Sequence, residues 1–494
     1  MDENISSEGF PRTKWPHFDL LILVCLISTY SFLNYLWVVT ETRPPHWDMG
    51  CHLYNSLVYY QHFNFKDFYL MWWEYHYYPP LRYWLTIPFY ILFGTSMTVA
   101  IMSNIIFMAI LTFSIYGIGV ELWNRSTGLL TALYVLSLPM FASQFKEYQL
   151  DAQLSAMVAW SLYTLIKTNE FSDRLWSLWF GLSFGLGMLT KWTFFLFLFA
   201  PLVYAAWKGL WVPRQEKSKI ISNIIWSASI AIGVSLLWYG DHPRKLKDDL
   251  FGNGFQKDEN PWQPTESIAW YLERFETIQA YFIPTLLLIF GLILTFLRKQ
   301  KPNIYPLLLI FGGYFLLLPI HKDVRYSMPI LVGISVLSVF SVPLINSAKL
   351  KSITTIFIVF YCFFSFWGVT FGYKFLPKEL KLGPIIFFAQ RGYSTASPPT
   401  TGQWHQEDIF KFISQYPESE RSLRSDCLDT MYWNNWGLMY YAVRYGVRLT
   451  FNNEKTTFLV ERKQLFSENP PDYKLIQKFE LPDKSILKLF KTGR

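Results

Sequence analysis

One short stretch of the sequence, RPPHWDMGCH at residues 43–52, holds several side chains that can do chemistry. Asp48 stands there between two imidazoles, His46 and His52, and a carboxylate in this setting can take a proton from an incoming hydroxyl or amine. The same three side chains could hold a divalent metal ion, although a histidine near a carboxylate is more often only hydrogen-bonded. The stretch directly follows an uncharged apolar run, so the chemistry is predicted where the chain leaves an apolar element.

Other ionisable residues stand at the ends of further apolar runs, where burial is costly and each charge needs a partner or a purpose. The set that joins Asp48 comprises Glu74, His76, Arg82, Lys146, Glu147, Asp151, Lys191, His321, Lys322, Asp323 and Arg325. Any one of them could be an interfacial anchor. Together, cations that bind a lipid phosphate and carboxylates that accept a proton indicate sugar transfer from a lipid-phosphate carrier, because a phosphate whose charge is met leaves easily.

The composition identifies the elements that position these residues as membrane-spanning helices. Of 494 residues, 52% are hydrophobic and 16% are charged, against about 25% charged in soluble domains. The apolar runs are continuous rather than alternating, which favours helices over a β-barrel. The formal net charge of +8 lies mostly in loops between these runs, where membrane orientation requires it, and does not indicate nucleic-acid binding.

Eleven runs come close to the roughly 20 residues that cross a hydrocarbon core of about 30 Å. They are residues 19–40, 96–120, 127–145, 151–167, 175–190, 192–208, 220–240, 278–297, 303–320, 326–347 and 352–373. With the N-terminus in the cytoplasm, the inner loops hold twelve basic residues and the short outer loops hold four, as the positive-inside rule requires. We therefore expect an all-α polytopic protein of the inner cell membrane, with an uncleaved first helix and the ionisable set on the non-cytoplasmic side.

Two segments of the first outer loop, residues 41–95, are predicted as amphipathic helices on the membrane surface. They are residues 47–62 and residues 80–94, and the second of these is short for a span and contains Arg82. A second large outer loop is expected at residues 241–277.

The predicted membrane module covers residues 1–373, and residues 374–494 are predicted to form a small extracytoplasmic α/β domain. In that domain, YKLIQKFELPDKSILKLFK predicts a β-hairpin, and WNNWGLMYYAVRYGVRLTF predicts a helix that leads to a strand. A disulfide between Cys51 and Cys427 stays open as an alternative, whereas no cysteine spacing typical of zinc occurs.

Several stretches, taken in order, resemble the GT-C superfamily of integral-membrane glycosyltransferases, and within it the dolichyl-phosphate-mannose-protein mannosyltransferase and aminoarabinose transferase relatives. These stretches are PPHWDMGCH, HYYPPLRYWLTIPFYILFGTS, QLDAQLSAMVAWSLY, GLSFGLGMLTKWTFFLFLFAPL and RYSMPI. They cover about residues 20–340, while the C-terminal region matches only through its closing FELPDKSILKLFK. The resemblance implies a GT-C fold and an enzyme that uses a polyprenyl-phosphate sugar.

The resemblance also implies roles for four residues. Asp48 matches the catalytic carboxylate of the family, and Asp151 matches a second aspartate at the outer start of the fourth span. Lys191 and Arg325 match basic positions that face the donor phosphate.

Two departures from the family pattern bear on the site. Met49 stands where the family often has a second acid, so a divalent metal ion remains an open alternative rather than an expected cofactor. Tyr78 replaces the lysine before the Pro-Pro pair, and Arg82 or His76 is expected to supply that charge at the donor phosphate. The further candidates for substrate binding are His46, His52, His76, Glu147 and Lys322.

Simpler structural explanations stand beside some of these features. Gly181, Gly185 and Gly187 have the spacing of close helix packing rather than of a phosphate loop. Lys146 and Glu147 could pair only with each other. The aromatic residues at 72–78 are typical of a membrane-interface belt, with stacking on a sugar as the alternative.

The sequence therefore predicts a membrane glycosyltransferase that moves a sugar from a polyprenyl-phosphate donor to an acceptor on the non-cytoplasmic face. The alternatives are a transporter or flippase of lipid-linked saccharides, and an oligosaccharide polymerase or ligase. A transporter should place charges at mid-bilayer and often has two related halves, neither of which the sequence indicates. The identities of the sugar and of the acceptor (lipid, glycan or protein) stay open.

Overall fold

The fold is seen in a computed structural model that describes most of the chain. The described residues are 16–63, 78–211, 217–242, 264–298, 303–318, 322–390, 395, 397–427, 431–451, 454–463 and 472–492. Predictions for Glu74, His76 and His321, and for most of the loop at 241–277, lie outside these residues.

The first 370 residues are helical wherever they are described as regular. The helices are α1 (His17–Thr40), α2 (Trp47–Gln61), α3 (Leu81–Phe93), α4 (Met97–Met102), α5 (Asn104–Leu122), α6 (Arg125–Ser137), α7 (Pro139–Gln144), α8 (Asp151–Lys167), α9 (Arg174–Met188), α10 (Phe194–Trp211), α11 (Lys217–Tyr239), α12 (Pro264–Arg274), α13 (Phe282–Leu297), α14 (Ile304–Leu317), α15 (Ile330–Val339) and α16 (Ala348–Thr370). Each of the eleven predicted spans coincides with one or two of these helices.

Within the described residues, five helical segments are long and apolar enough to cross a membrane by length and composition. They are His17–Thr40, Met97–Leu122, Phe194–Trp211, Lys217–Tyr239 and Ala348–Thr370. A sixth is counted if the bent pair Ser267–Gln279 and Phe282–Leu297, which turns by 119°, is one span. The polytopic helical class is thus confirmed, while the count of eleven spans stays a prediction.

Breaks inside the predicted spans have local causes. The predicted span 127–145 is divided at Leu138, because Pro139 begins a new short helix, a position that proline favours. The predicted span 278–297 begins too early: a π-helical turn at Phe275–Gln279 ends there, and Tyr281, at a φ of 65°, redirects the chain before α13.

The glycines of α9 pack helices together, as their spacing predicts. A Cβ added at Gly181 would lie 2.4 Å from the carbonyl oxygen of Ser227, and one at Gly185 would lie 2.6 Å from the Cβ of Val234. Both contacts are with α11, so the small residues allow the two backbones to approach closely.

The helix α2, which carries Asp48, is held from two sides. On one side, a Cβ at Gly50 would lie 2.6 Å from the backbone nitrogen of Gly437 in the C-terminal region. The Asn434 amide also donates a 2.9 Å hydrogen bond to the Pro45 carbonyl, just before the helix begins. On the other side, α2 packs on α3, the second predicted surface helix. Asp48 therefore sits on a rigid element with little freedom to move.

Within the described residues, the C-terminal region contains two sheets and two α-helices. A two-stranded antiparallel sheet joins β1 (Glu379–Leu382) to β2 (Ile385–Ala389). A five-stranded sheet of order β4-β3-β5-β7-β6 follows, formed by β3 (Ser422–Cys427), β4 (Arg448–Thr450), β5 (Phe458–Lys463), β6 (Tyr473–Glu480) and β7 (Ile486–Thr492). The helices are α17 (Gln406–Ile413) and α18 (Asn435–Tyr445).

Both sequence predictions for this region are confirmed. The strands β6 and β7 form the predicted antiparallel hairpin, and α18 leads into β4. The disulfide alternative is wrong, because Cys51 is a free thiol. The domain boundary at residues 373 and 374 stays a prediction.

Because the chain runs back and forth, the bundle has two ends. We call the end at which α1 begins the N-terminal end, and the end at which α1 finishes the site end. The C-terminal region covers the site end through its contact with α2.

Candidate active site

Asp48 forms an ion pair with Arg325 at the site end of the bundle. The carboxylate oxygen lies 2.8 Å from the Arg325 Nη1, although the two residues are separated by most of the membrane module. The Asp48 side chain is 49% exposed and that of Arg325 only 12%, so the carboxylate can be reached from solvent while the guanidinium is largely enclosed. This is the geometry of an accessible base beside a fixed cation.

A second carboxylate holds Arg325 in place. Asp323 accepts hydrogen bonds from the Arg325 Nη2 at 2.9 Å and Nε at 3.2 Å, and also from its backbone N–H at 2.9 Å. The remaining nitrogen, Nη1, faces Asp48 and donates to the side-chain oxygen of Gln149 at 3.3 Å. The bidentate contact with Asp323 therefore directs one nitrogen of the fork toward Asp48.

Lys191 and Asp151 make the neighbouring ion pair. Their charged groups are 3.0 Å apart and both side chains are buried. Asp151 is the first residue of α8, where a negative charge is favoured by the helix dipole. The Lys191 ammonium also lies 4.6 Å from the ring centre of Tyr326, the residue that follows Arg325. Tyr326 thus links the two ion pairs into one cluster, which we call the paired cluster.

The cations of the paired cluster keep the carboxylates of Asp48 and Asp323 ionised. Burial opposes the charge on Asp48, but the positive charges of Arg325 and Lys191 outweigh it and hold the pKa of Asp48 below its usual range. The pKa of Asp323 is likewise lowered, since its bonds to Arg325 outweigh burial. Burial works against the Lys191 ammonium too, yet Asp151 raises its pKa. Asp48, Asp323 and Lys191 are therefore charged at neutral pH.

The two histidines that flank Asp48 have different environments. The His52 Nδ1 lies 2.9 Å from the Tyr83 hydroxyl in a buried site, and burial lowers the pKa of His52 to about 3, so the ring is neutral. The His46 Nε2 lies 3.4 Å from the buried carboxylate of Glu147, which also accepts a 3.1 Å hydrogen bond from the Thr395 backbone N–H. Neither imidazole is shown bonded to Asp48.

Two buried cations of the predicted set have no hydrogen-bond partner among the described residues. The guanidinium of Arg82 is fully buried and lies 4.0 Å from the ring centre of Tyr148. The Lys146 ammonium is also buried and lies 4.7 Å from the ring centre of Trp37. Lys146 therefore makes no hydrogen bond to Glu147, although the charge of Glu147 acts to raise the pKa of Lys146.

The remaining predicted residues are less constrained. Lys322 is partly exposed, next to Asp323 in the chain, and forms no ion pair within the described ranges. His76 lies outside them. Across the described part of the chain, no group of three or more His, Cys, Asp or Glu side chains could hold a metal ion, and His46 and His52 contact different partners.

Sequence reasoning placed four members of the cluster together but missed their supports. Asp323 was recognised as a charge on the same face, without a role, and Gln149, Tyr83 and Tyr326 were not considered. The i, i+2 spacing of Asp323 and Arg325 was a usable signal, because a short turn brings such a pair into contact. Nothing in the spacing of the other three pointed to the site.

Residues 78–238 match the family described as dolichyl-phosphate-mannose-protein mannosyltransferase. No curated protein matches the chain in sequence. Among solved structures, ArnT from Cupriavidus metallidurans bound to undecaprenyl phosphate is similar, with a TM-score of 0.62 at 11% identity over 95% of this chain and 97% of that one.

Two further structures share the fold. The Archaeoglobus fulgidus oligosaccharyltransferase, a complex with Zn and sulfate, has a TM-score of 0.56 at 10% identity over 89% of this chain and 68% of its own. The mycobacterial arabinofuranosyltransferase AftD has a TM-score of 0.56 at 10% identity over 96% of this chain and 40% of its own.

These likenesses extend over nearly the whole chain, and the family match lies in the segment that contains Arg82, Asp151 and Lys191. They confirm the resemblance that the ordered motifs indicated. The chain shares the fold of these membrane glycosyltransferases over nearly its whole length, and its residues 78–238 match the dolichyl-phosphate-mannose-protein mannosyltransferase family.

Proposed function

We propose that the protein transfers a sugar from a polyprenyl-phosphate donor to a hydroxyl or amine of an acceptor, with Asp48 as the catalytic base. The observation that carries this proposal is the ion pair between the half-exposed Asp48 and the enclosed Arg325, beside the pair of Lys191 and Asp151. A carboxylate that solvent can reach, next to two fixed cations, suits attack on a carbon bonded to phosphate.

Arg325 and Lys191 are the proposed ligands of the donor phosphate. Each is anchored by its own carboxylate, Asp323 or Asp151, so each can turn toward an anion without losing its position. The similarity to ArnT, whose solved structure is bound to undecaprenyl phosphate, supports a lipid-phosphate donor for this chain.

Donor binding then changes the state of Asp48. A phosphate that reaches the Arg325 Nη1 competes with Asp48 for this nitrogen, because both are anions within reach of one donor. The carboxylate that is released from the ion pair becomes more basic, since the charge that lowered its pKa now serves the phosphate. The base is thus strengthened only when the donor is in place.

The proposed reaction balances as follows. The acceptor oxygen or nitrogen attacks the anomeric carbon and gives its proton to Asp48, while the bond from that carbon to the phosphate oxygen breaks. The electron pair leaves on polyprenyl phosphate, whose added charge is met by Arg325 and Lys191. No separate acid is needed for this leaving group.

The other predicted residues have supporting roles in this proposal. Arg82 is fully buried, so we assign it a contribution through its positive charge rather than direct contact with the phosphate. We assign His46, which contacts the buried Glu147 at 3.4 Å, and Glu147 itself to the acceptor side of the site. Residues His52, Lys322 and His76 remain candidates for substrate contact, and the active site is proposed to face away from the cytoplasm.

The test is transfer in vitro from a panel of radiolabelled polyprenyl-phosphate sugars by the purified protein in lipid nanodiscs, with Asp48→Asn as the matched variant. We expect one donor to be consumed by the wild type and not by the variant at equal expression. A flippase would move the labelled lipid across a membrane without consuming it. A polymerase or ligase would consume only diphosphate-linked glycans. Either result would overturn the proposal.

A further inference from the structure

Beside the paired cluster, the site end contains a small cavity that the proposed chemistry does not use. Its volume is about 30 Å³, which admits roughly two water molecules. Lys146 contributes to its wall, together with His46 and Met49, the residues on either side of the Trp47–Asp48 pair. The cavity therefore reaches the first turn of the helix that carries the proposed base.

The Lys146 ammonium is the unmatched charge of this cavity. The Glu41 carboxylate is occupied by Arg43, whose Nη2 lies 2.6 Å away, and Glu147 is contacted by His46. Lys146 is only 1% exposed and donates no hydrogen bond to any described residue, although its ammonium has three N–H donors. A buried ammonium without an acceptor is costly, and none of the described residues accepts a hydrogen bond from Lys146, so the cavity favours a ligand that brings an acceptor.

A larger groove of about 500 Å³ adjoins this cavity. The two share the walls formed by Val38, Glu41, Arg43, Pro44 and Met97, which close the site end of α1 and the start of α4. The opposite wall of the groove is the C-terminal region, so the groove lies between the membrane module and that region.

The groove has the lining that a hydroxyl-rich ligand requires. The C-terminal wall includes Trp404, Tyr441 and Gln403, together with Arg444, which is paired with Glu407 of the same wall. Aromatic faces can pack on the apolar side of a sugar ring, while amides and a guanidinium supply both donors and acceptors to its hydroxyls. A volume of about 500 Å³ is within the range of small-molecule sites.

We infer that the groove and its small cavity form one binding site for a saccharide that carries an anionic group, with the sugar in the groove and the anion against Lys146. Under the proposed function this saccharide is the acceptor, so the inference rests on that function and names the class of its second substrate. The anion is a phosphate or a carboxylate, since either group offers oxygens that can accept from the ammonium.

Binding should depend on pH in a defined direction. Burial lowers the pKa of Lys146 to about 7, Glu147 and Glu41 act to raise it, and Arg43 acts to lower it. An anion binds the protonated ammonium, so affinity should be greatest below pH 7 and should fall as the amine loses its proton above that value. The bound anion in turn raises the pKa of Lys146.

The experiment measures protection of the Lys146 amine in the full-length protein. Purified protein in nanodiscs is treated at pH 7 with formaldehyde and cyanoborohydride, and methylation of individual lysines is quantified by mass spectrometry. The probes are glucuronate and N-acetylglucosamine 1-phosphate, which distinguish carboxylate from phosphate, and their neutral counterparts glucose and N-acetylglucosamine. Lys349, which is exposed at the other end of the bundle, is the internal control.

We expect at least one anionic saccharide to slow methylation of Lys146 about tenfold or more, while the neutral sugars and the Lys349 rate change little. Equal protection by neutral and anionic sugars, protection by inorganic phosphate alone, or no protection at all would overturn the inference. Equilibrium binding of the protecting sugar, radiolabelled, should be lost in Lys146→Met and kept in Lys349→Met. Because the footprinting uses the wild type, a Lys146 variant that fails to fold leaves the test intact.

Failure of this inference can be separated from failure of the proposed function. Consumption of the polyprenyl-phosphate donor with water as the acceptor depends on Asp48 and not on Lys146. Donor consumption without protection of Lys146 would reject the saccharide site alone. Protection of Lys146 in a protein that consumes no donor would reject the transferase proposal and leave the binding site.

Discussion

The two ends of the helical bundle both carry buried charges, but they arrange them differently. At the N-terminal end the buried acids among the described residues each contact a base: Arg125 holds Asp19 through two 2.8 Å contacts, Lys167 lies 2.7 Å from Glu121, and Lys208 pairs with Glu170. At the site end, Asp48 and Asp323 share the single guanidinium of Arg325. Lys146 and Arg82 have no hydrogen-bond partner among the described residues of that end.

The two ends differ in how their charged side chains are paired. Besides the Glu41–Arg43 pair, the described residues of the site end include four predicted acids (Asp48, Glu147, Asp151 and Asp323) and four largely buried predicted cations (Arg82, Lys146, Lys191 and Arg325). One-to-one pairing would have been possible, yet Arg82 and Lys146 donate no hydrogen bond to any acid among the described residues. Pairing that is complete at one end and incomplete at the other indicates structural ion pairs in the first case and a ligand site in the second.

The sharpest test of this comparison replaces one aspartate at each end. Asp48→Asn should lower the rate of sugar transfer by about 10²–10⁴-fold, the range that general-base catalysis supplies. Asp19→Asn, the matched control, removes a carboxylate that is bonded by both Arg125 and the Tyr116 hydroxyl, and should change transfer per folded molecule little. The measurement is the initial rate with a labelled donor, normalised to folded protein. Equal losses in both variants would contradict the distinction between the ends.

The next largest effect is expected from Arg325. Arg325→Met should lower transfer about 10²-fold, because it removes a donor that faces the leaving phosphate. It should also raise the pKa of Asp48, since the main charge that opposes its burial is lost. The kcat/KM falls at low pH as Asp48 becomes protonated. In Arg325→Met this fall, the acid limb of the profile, should therefore occur at a higher pH.

Arg325→Lys keeps the charge but not the fork, and separates these two effects. In Arg325→Lys the acid limb of the kcat/KM profile should stay at low pH, as in the wild type. The transfer rate should be only partly recovered relative to Arg325→Met, because an ammonium cannot bind Asp323 and a phosphate in the same geometry. A profile of Arg325→Met with an unshifted acid limb would show that Asp48 is not the titrating base.

A smaller effect is expected from Asp323, which acts only through Arg325. Asp323→Asn keeps the size of the side chain but weakens the bidentate contact, so the guanidinium should be less well placed, at a cost of about tenfold in transfer. The loss should fall on donor KM more than on kcat, and Asp323→Glu should restore part of it. A purely structural role would instead lower thermal stability with unchanged KM.

The sequence predicted the elements better than the contacts. The length of the apolar runs predicted the positions of helices in the membrane module, and the turn at residues 481–485 predicted the β6–β7 hairpin. Both features depend on local sequence patterns, so the sequence alone can predict them. The order of the motifs and the predicted spans between them placed Asp48 and Arg325 at the same membrane surface, and so predicted their proximity. The sequence did not predict the unmatched state of Lys146, because pairing is decided by distances across helices that no local pattern contains.

The smallest effect is expected at the N-terminal end, where the comparison predicts a loss of stability alone. The Arg125 side chain is 54% exposed, so water can replace part of its contact with Asp19, whereas Asp19 itself is 2% exposed and would be left with the Tyr116 hydroxyl. Arg125→Met should therefore lower the midpoint of thermal unfolding by no more than about 4 °C, since surface-exposed partners contribute little. Donor KM and the pH profile should not change, because no residue of the paired cluster contacts this end. Differential scanning fluorimetry beside the transfer assay checks both statements, and a shift in donor KM would show that the two ends are coupled.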